Sequence, residues 1–291
     1  ALHYAAYSGS LEVAKYLIEC GADVNCKNSG DHTPLHYAAQ LNSLEIIKNL
    51  VEHDADVNCK SKSNNTALSH AVKAGSPDVV EYLVENGANV NFRGNWNKTP
   101  LHYAVESKSL EIIKCLVEHG ADVNCETERC ATALLFAVNT GRLEIVEYLV
   151  KNGAEVTTTR RRGEKAILYW ACRKGNESIV DYLLKNGAQE DVHDCDSSGR
   201  SCLGKACFEG NTALVRTFLK SGVDIRRETE LPCRNDEIVH ILKQEMKSKK
   251  HRQKIEDLIA LDDKELTQVI LFFTGIFFAS LIAVDWLDVR C

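Results

Sequence analysis

Apolar residues along this chain recur in two alternating rhythms, a short run of mostly small residues and a longer run with one oily side. In "LEIIKNLVEH" (Leu44–His53), Leu44, Ile46, Ile47, Leu50 and Val51 gather on one side of a helical wheel, while Glu45, Lys48 and Asn49 face elsewhere. That spacing predicts an amphipathic helix rather than a strand. Ahead of it "LHYAAQ" predicts a shorter first helix, with "LSHAVK" and "LHYAVE" as later counterparts. The leading leucine returns at Leu2, Leu35, Leu68, Leu101 and Leu134, a spacing of 33 each time, then at Leu168 and Leu203 after 34 and 35. A fixed period of this length marks a stacked array. Seven copies are readable, the first lacking its opening residues.

The ends of the helices are written in the same period. Thr33, Thr66, Thr99, Thr132 and Ser201 stand where a hydroxyl caps the first helix. Pro34 and Pro100 follow at the first helical position, where a missing N–H costs nothing. The second helix is predicted to start near Ser43, Ser76 or Ser109. It closes at Gly21, Gly87, Gly120, Gly153, Gly187 and Gly222, because glycine reaches the left-handed conformation easily. Asp54 takes that place in the second copy and tolerates the same conformation. A polar, turn-rich connection then leads into the next "TP".

These features resemble the ankyrin repeat family, whose pattern D-x-x-G-x-T-P-L-H-x-A-A…G-A-D-V-N is met at Thr33–Asn58 and Thr99–Asn124, and more loosely elsewhere over residues 1–226. The resemblance implies an all-α repeat solenoid of helix-turn-helix units with β-hairpin loops, stacked into an elongated curved array. Some positions depart from the pattern. The turn glycine before the threonine is replaced by Asp31, Asn64 and Asn97, which still adopt positive φ. Cys130 suits it less, so the hairpin of residues 125–131 is expected to be distorted. The sixth copy lacks "TP", carries an extra residue and sets Tyr169 and Trp170 where smaller side chains usually stand, so irregularity is expected there.

Charge and cysteine content narrow the function. The net charge is −6, and residues 1–159 carry 13 Lys/Arg against 20 Asp/Glu. An acidic body argues against a nucleic-acid partner. Of the twelve cysteines, Cys26, Cys59 and Cys125 follow "VN" with the period, which spreads them along one edge beyond bridging distance, and no C-x-x-C pair exists. Free thiols in a reducing compartment are expected. The chain opens at Ala1 inside a repeat, so its natural N-terminus is expected upstream.

No phosphate loop, nucleophile elbow, zinc-helix motif or dinucleotide glycine pattern appears. His3, His36 and His102 recur at one depth in "LHYA", and spread along the axis they do not converge as metal ligands do. The structural reading has each imidazole tying neighbouring hairpins together near the "TP" turn. Enzyme function, a metal and a cofactor are not expected.

What varies between copies is the hairpin tips and the outer side of each first helix, which the family resemblance implies form a concave binding face. Carried over by position, the tip residues are Ser29, His32, Lys62, Asn65, Asn95, Trp96, Lys98, Glu128 and Arg129. The helices add Tyr7, Gln40, Lys73, Glu106, Asn139 and Arg173. Each is either an adaptable contact or simply solvated. Trp96, in the polar turn "FRGNWNK", either meets a partner or packs on a neighbouring tip. Arg160, Arg161 and Arg162 suit a carboxylate-rich or phosphorylated partner, or form a solvated basic loop.

Beyond the repeats, residues 227–246 are expected to form a capping helix, with a charged linker at 247–265. Residues 266–287 are hydrophobic, and Val269–Val284 runs sixteen residues without a charge, at the lower limit for a membrane span. Two functions remain open. One is a non-enzymatic scaffold holding a partner protein. The other is the cytoplasmic domain of a larger membrane protein, such as a channel or acyltransferase. An enzyme domain upstream of Ala1 is a third arrangement.

Overall fold

The computed structural model describes residues 1–157, 166–193, 201–223, 235–245 and 247. It divides into two units, Ala1–Val223 and Asp224–Cys291. In the first unit the described residues form helix pairs, one per repeat. They are α1 (Leu2–Ser8) with α2 (Leu11–Glu19), α3 (Pro34–Gln40) with α4 (Leu44–Glu52), and α5 (Ala67–Ala74) with α6 (Pro77–Glu85). Then come α7 (Pro100–Glu106) with α8 (Leu110–Glu118), α9 (Ala133–Thr140) with α10 (Leu143–Lys151), α11 (Ile167–Lys174) with α12 (Glu177–Lys185), and α13 (Cys202–Glu209) with α14 (Thr212–Lys220). In the second unit residues 236–245 are helical. The hydrophobic run Val269–Val284 lies outside the described residues, and among those described no helix is long and apolar enough to cross a membrane.

Each first helix packs on the next, α1 on α3 through to α11 on α13. Their facing positions are small and buried: Ala38 and Ala39, Ala71 and Val72, Ala104 and Val105, Ala137 and Val138. Small side chains let the backbones approach, while Leu35, Leu68, Leu101 and Leu134 fill the space between repeats. The apolar stripe of each second helix, such as Ile46, Ile47 and Leu50, is buried beneath.

The starts of the helices follow two chemistries. At Thr66, Thr132 and Ser201 the hydroxyl accepts the N–H three residues on. At Thr33 and Thr99 the histidine at the third helical position takes part. His36 Nδ1 accepts the Thr33 N–H at 3.1 Å, and His102 does the same for Thr99. A ring nitrogen that accepts a backbone N–H carries no proton, so Nε2 does. It donates to the Asn65 carbonyl at 3.1 Å and to the Ala131 carbonyl at 3.2 Å, each in the following repeat. His3 Nε2 lies 2.8 Å from the His32 carbonyl in the same way.

A second set of bonds joins the far edge of the stack. Asn25, Asn58, Asn91 and Asn124, the "N" of each "VN", act as brackets. Each amide donates to a carbonyl 29 residues on (Asp54, Gly87, Gly120, Gly153), at 2.9 Å in every case. Each Oδ1 accepts an N–H 31 residues on (Asp56, Asn89, Asp122, Glu155), at 2.7–2.9 Å. The receiving carbonyls belong to the residues that close the second helices, Gly87, Gly120, Gly153 and Asp54, all at positive φ.

Where irregularity was expected in the sixth copy, α11 packs between α9 and α13 like its counterparts. Its start differs, because Ala166 offers no side-chain cap. The departure comes later, as a 3-10 helix at Ala188–His193. Among the described residues no two cysteines form a disulfide. The Cys172 thiol, raised well above its ordinary pKa by burial and then by its hydrogen bond to Cys202, is packing material rather than a nucleophile.

The Asn91 bracket predicts a measurable cost. Asn91→Ala removes both bonds and should lower unfolding stability by about 1–2 kcal/mol. Asn86→Ala deletes only a bond to Tyr82 of its own helix and should change stability by less than about 0.5 kcal/mol. Urea unfolding of both variants measures the difference.

Candidate functional site

The hairpin tips are single turns. In the first complete repeat the Asp31 N–H donates to the Asn28 carbonyl at 2.9 Å and the Asn28 N–H to the His32 carbonyl at 3.0 Å. Residues 61–65 and 127–131 repeat both bonds. One or two cross-bonds per tip are too few for a ladder, and no strand forms among the described residues. Cys130 adopts φ 54°, beside 59° for Asp31 and 51° for Asn64. The expected distortion of residues 125–131 therefore does not occur, because the flanking hydrogen bonds hold Cys130 in the shape its neighbours take.

The unusual tip is the preceding one. Trp96 and Asn97 both have positive φ, 61° and 55°, and an added bond runs from the Lys98 N–H to the Asn95 carbonyl at 3.1 Å. A left-handed conformation costs a residue with a Cβ roughly 1–2 kcal/mol, and Trp96 is also 64% exposed. Its carbonyl accepts the Glu128 N–H at 2.9 Å, tying this tip to the next. Gly94 is required here, since a Cβ would stand 2.9 Å from the Asn64 carbonyl oxygen.

The structure distributes the remaining sequence candidates unevenly. Ser29, Lys62, Asn95, Glu128 and Arg129 are exposed at tips, and Tyr7, Gln40, Lys73, Glu106, Asn139 and Arg173 are exposed on first helices. Asn65 is buried, with its Oδ1 accepting from Lys73 Nζ at 3.0 Å, so it serves the frame. His32 is half-buried against His36, His70 and Tyr37, with ring centroids 5.4–5.9 Å apart. Arg160, Arg161 and Arg162 lie outside the described residues.

Sequence reasoning missed a row of aromatic rings. The residue two after the leading leucine is Tyr4, Tyr37, His70, Tyr103, Phe136 and Trp170 in the first six copies, and Lys205 in the seventh. All but the exposed Tyr4 are half-buried. The signal was in the period, hidden because the tyrosine of "LHYA" looks like part of the frame. The variable cations lie over these rings. Lys73 Nζ is 4.1 Å from the Tyr103 centroid, and Lys98 Nζ is 5.5 Å from Tyr103 and 5.0 Å from Phe136. Arg173 covers Trp170 at 5.2 Å. Lys98 also pairs with Glu106 at 2.6 Å. Burial lowers the Lys73 pKa, the Lys98 charge lowers it further, and Glu106 opposes both.

Two cavities open on this side. One of about 350 Å³ lies between the third and fourth complete tips, lined by Trp96, Lys98, Thr127, Arg129, Ala131 and Phe136. Another of about 410 Å³ sits at the first repeat among His3, Tyr4, Tyr7, Asn28 and Tyr37. Among the described residues no group of three or more His, Cys, Asp or Glu side chains is placed to hold a metal ion.

A family model described as ankyrin repeats matches the chain three times, over residues 2–94, 92–160 and 134–229. In a comparison with curated proteins, none matches.

The buried histidines give a pH prediction. Burial lowers the His36 pKa to about 4, with His32 and Lys27 adding repulsion and carbonyl bonds opposing. An unfolded histidine binds its proton near 6.5. Below that pH the unfolded chain therefore holds a proton the folded chain refuses. The stabilisation is complete above pH 6.5 and is lost as pH falls from there towards 4. At pH 5 the loss from His36 should be about 2 kcal/mol, and His70, also near 4 through burial, acts in the same window. Urea midpoints at pH 7.5 and 5 should fall accordingly, and less steeply in His36→Gln. An unchanged slope would assign the dependence to other groups.

Proposed function

The chain belongs to the ankyrin repeat family, and from that premise we propose that it is a non-enzymatic scaffold holding a partner protein on the face of tips and first helices. Ankyrin repeats generally mediate protein–protein interaction, and the family is typically a non-enzymatic module. The observation that carries the reading is the contrast between frame and face. Histidines, asparagines and leucines repeat with the period, whereas Gln40, Lys73, Glu106, Asn139 and Arg173 change at every copy above a row of half-buried rings. Tryptophan, tyrosine and arginine are the residues most enriched at energetic centres of protein interfaces.

Paired surface variants of the full chain test this. One replaces Lys62, Asn95 and Glu128 at the tips. The other replaces Glu45, Glu81, Glu111 and Glu144, all exposed on second helices. Proteins captured by the unaltered chain should be lost with the tip variant and kept with the helix variant. The reverse result would place the partner on the other side of the stack.

A specific feature supports a membrane setting as the second reading. Val269–Val284 is uncharged for sixteen residues, and a cluster of basic residues from Lys243 to Lys254 precedes it. In this reading the segment anchors the chain, alone or as part of a larger membrane protein, with the repeats on the cytosolic side by the positive-inside tendency. An intact chain with an N-terminal tag should then resist alkaline carbonate extraction, with the tag open to added protease in sealed cells' microsomes. Release into the soluble fraction overturns the anchor, and a protected tag reverses the orientation.

A further inference from the structure

Resting on the scaffold reading, we propose that the groove between the third and fourth complete tips binds an acidic peptide segment, seating one aromatic or aliphatic side chain between Trp96 and Phe136 while a neighbouring carboxylate pairs with Arg129. The volume of about 350 Å³ lies towards the small end of ligand pockets, roughly 300–1,000 Å³. It fits one side chain and adjoining backbone, not a folded domain.

Charge selects the occupant. The lining holds Lys98 and Arg129 and no carboxylate. Glu106 already serves Lys98 from outside the lining at 2.6 Å. Arg129 is exposed and makes no ion pair among the described residues, and Lys73 nearby is held by Asn65 and the Tyr103 ring rather than by an anion. Exposed Glu128 stands next to Arg129, and the half-buried Glu126 lies three residues before Arg129. Around this basic spot residues 1–159 are acidic, 20 Asp/Glu against 13 Lys/Arg. A long polyanion such as a nucleic acid would be repelled beyond the groove, whereas a short acidic segment can sit on the cations that line it.

The walls select the rest. Trp96 is held left-handed and exposed, yet no ring contact within the described residues uses its indole. Phe136 is half-buried, with its edge set on His102 at 5.4 Å and Lys98 above it. Two rings with an apolar floor at Ala131 and cations at the rim suit an apolar side chain flanked by carboxylates. An inorganic anion would leave the rings idle.

The test uses the full chain labelled with 5-fluorotryptophan and capped pentapeptides as probes. The chain has three tryptophans, and loss of one fluorine signal in Trp96→Asn identifies that of Trp96. The peptide EDFDE should shift the Trp96 signal saturably. EDADE should bind at least fivefold more weakly and KKFKK not at all. Arg129→Glu should weaken EDFDE at least tenfold. Trp96→Asn, whose binding is read by calorimetric titration because its own fluorine signal is gone, should abolish binding without lowering the melting temperature, because asparagine accepts positive φ. Equal binding of KKFKK, equal binding of EDADE, or an unaffected Arg129→Glu chain would each overturn the proposal. If EDFDE fails while capture still depends on Lys62, Asn95 and Glu128, the groove assignment falls and the scaffold stands. If EDFDE binds while the tip variant captures normally, the groove stands without the wider face.

Discussion

Everything in this stack depends on hydrogen bonds that a repeat cannot make alone. In four repeats the carbonyl closing the second helix and the N–H two residues beyond it are both taken by one asparagine of the preceding repeat. The buried His36 and His102 each donate to one hairpin carbonyl of the following repeat. Backbone groups at helix ends must find partners; some are local caps, and the brackets supply others about one period away. The four brackets share one spacing, 29 residues to the carbonyl and 31 to the N–H, in the copies that keep the period of 33. Apolar burial supplies most of the driving force, and the polar brackets fix the register in which it is realised.

A frame held this tightly frees the surface it does not use. The tips are joined through backbone atoms, as where the Lys62 N–H meets the Gly30 carbonyl and the Glu128 N–H meets the Trp96 carbonyl. Side chains at such positions can change without breaking these backbone bonds, although Lys62 Nζ also donates to the Ser29 carbonyl at 2.7 Å. The same rigidity explains how an unfavourable residue persists. Trp96 keeps a left-handed backbone because bonds on either side hold the turn closed, and Cys130 is held likewise one repeat later. Strain of this kind survives only where the surroundings over-determine the conformation.

Much of this was legible in the chain because it is local. The threonine caps, the prolines at the first helical position, the closing glycines and the amphipathic stripe of "LEIIKNLVEH" each act within a few residues, so the helices and their ends could be read directly. The part played by His36 and His102 was also legible, because a histidine repeating with the period has to serve the frame. The candidate face was read with less success. By position Asn65 is a tip residue, yet its side chain turns inward to Lys73, and Cys130 reads as a weak point although its turn keeps the φ of its counterparts.

By itself, then, the sequence determined the repeat unit, its length and the order of its helices, because these rest on interactions between near neighbours. The tertiary structure decided which side chains of the face are available. Tyr103 and Phe136 become a half-buried row only when first helices stack. Lys73 finds Tyr103 thirty residues away, and Trp96, Arg129 and Phe136 meet only because neighbouring tips are bonded side by side. Contacts between residues a full repeat apart depend on the distance and angle at which one rigid unit docks on the next. Those quantities come from packing, and no short stretch of sequence contains them.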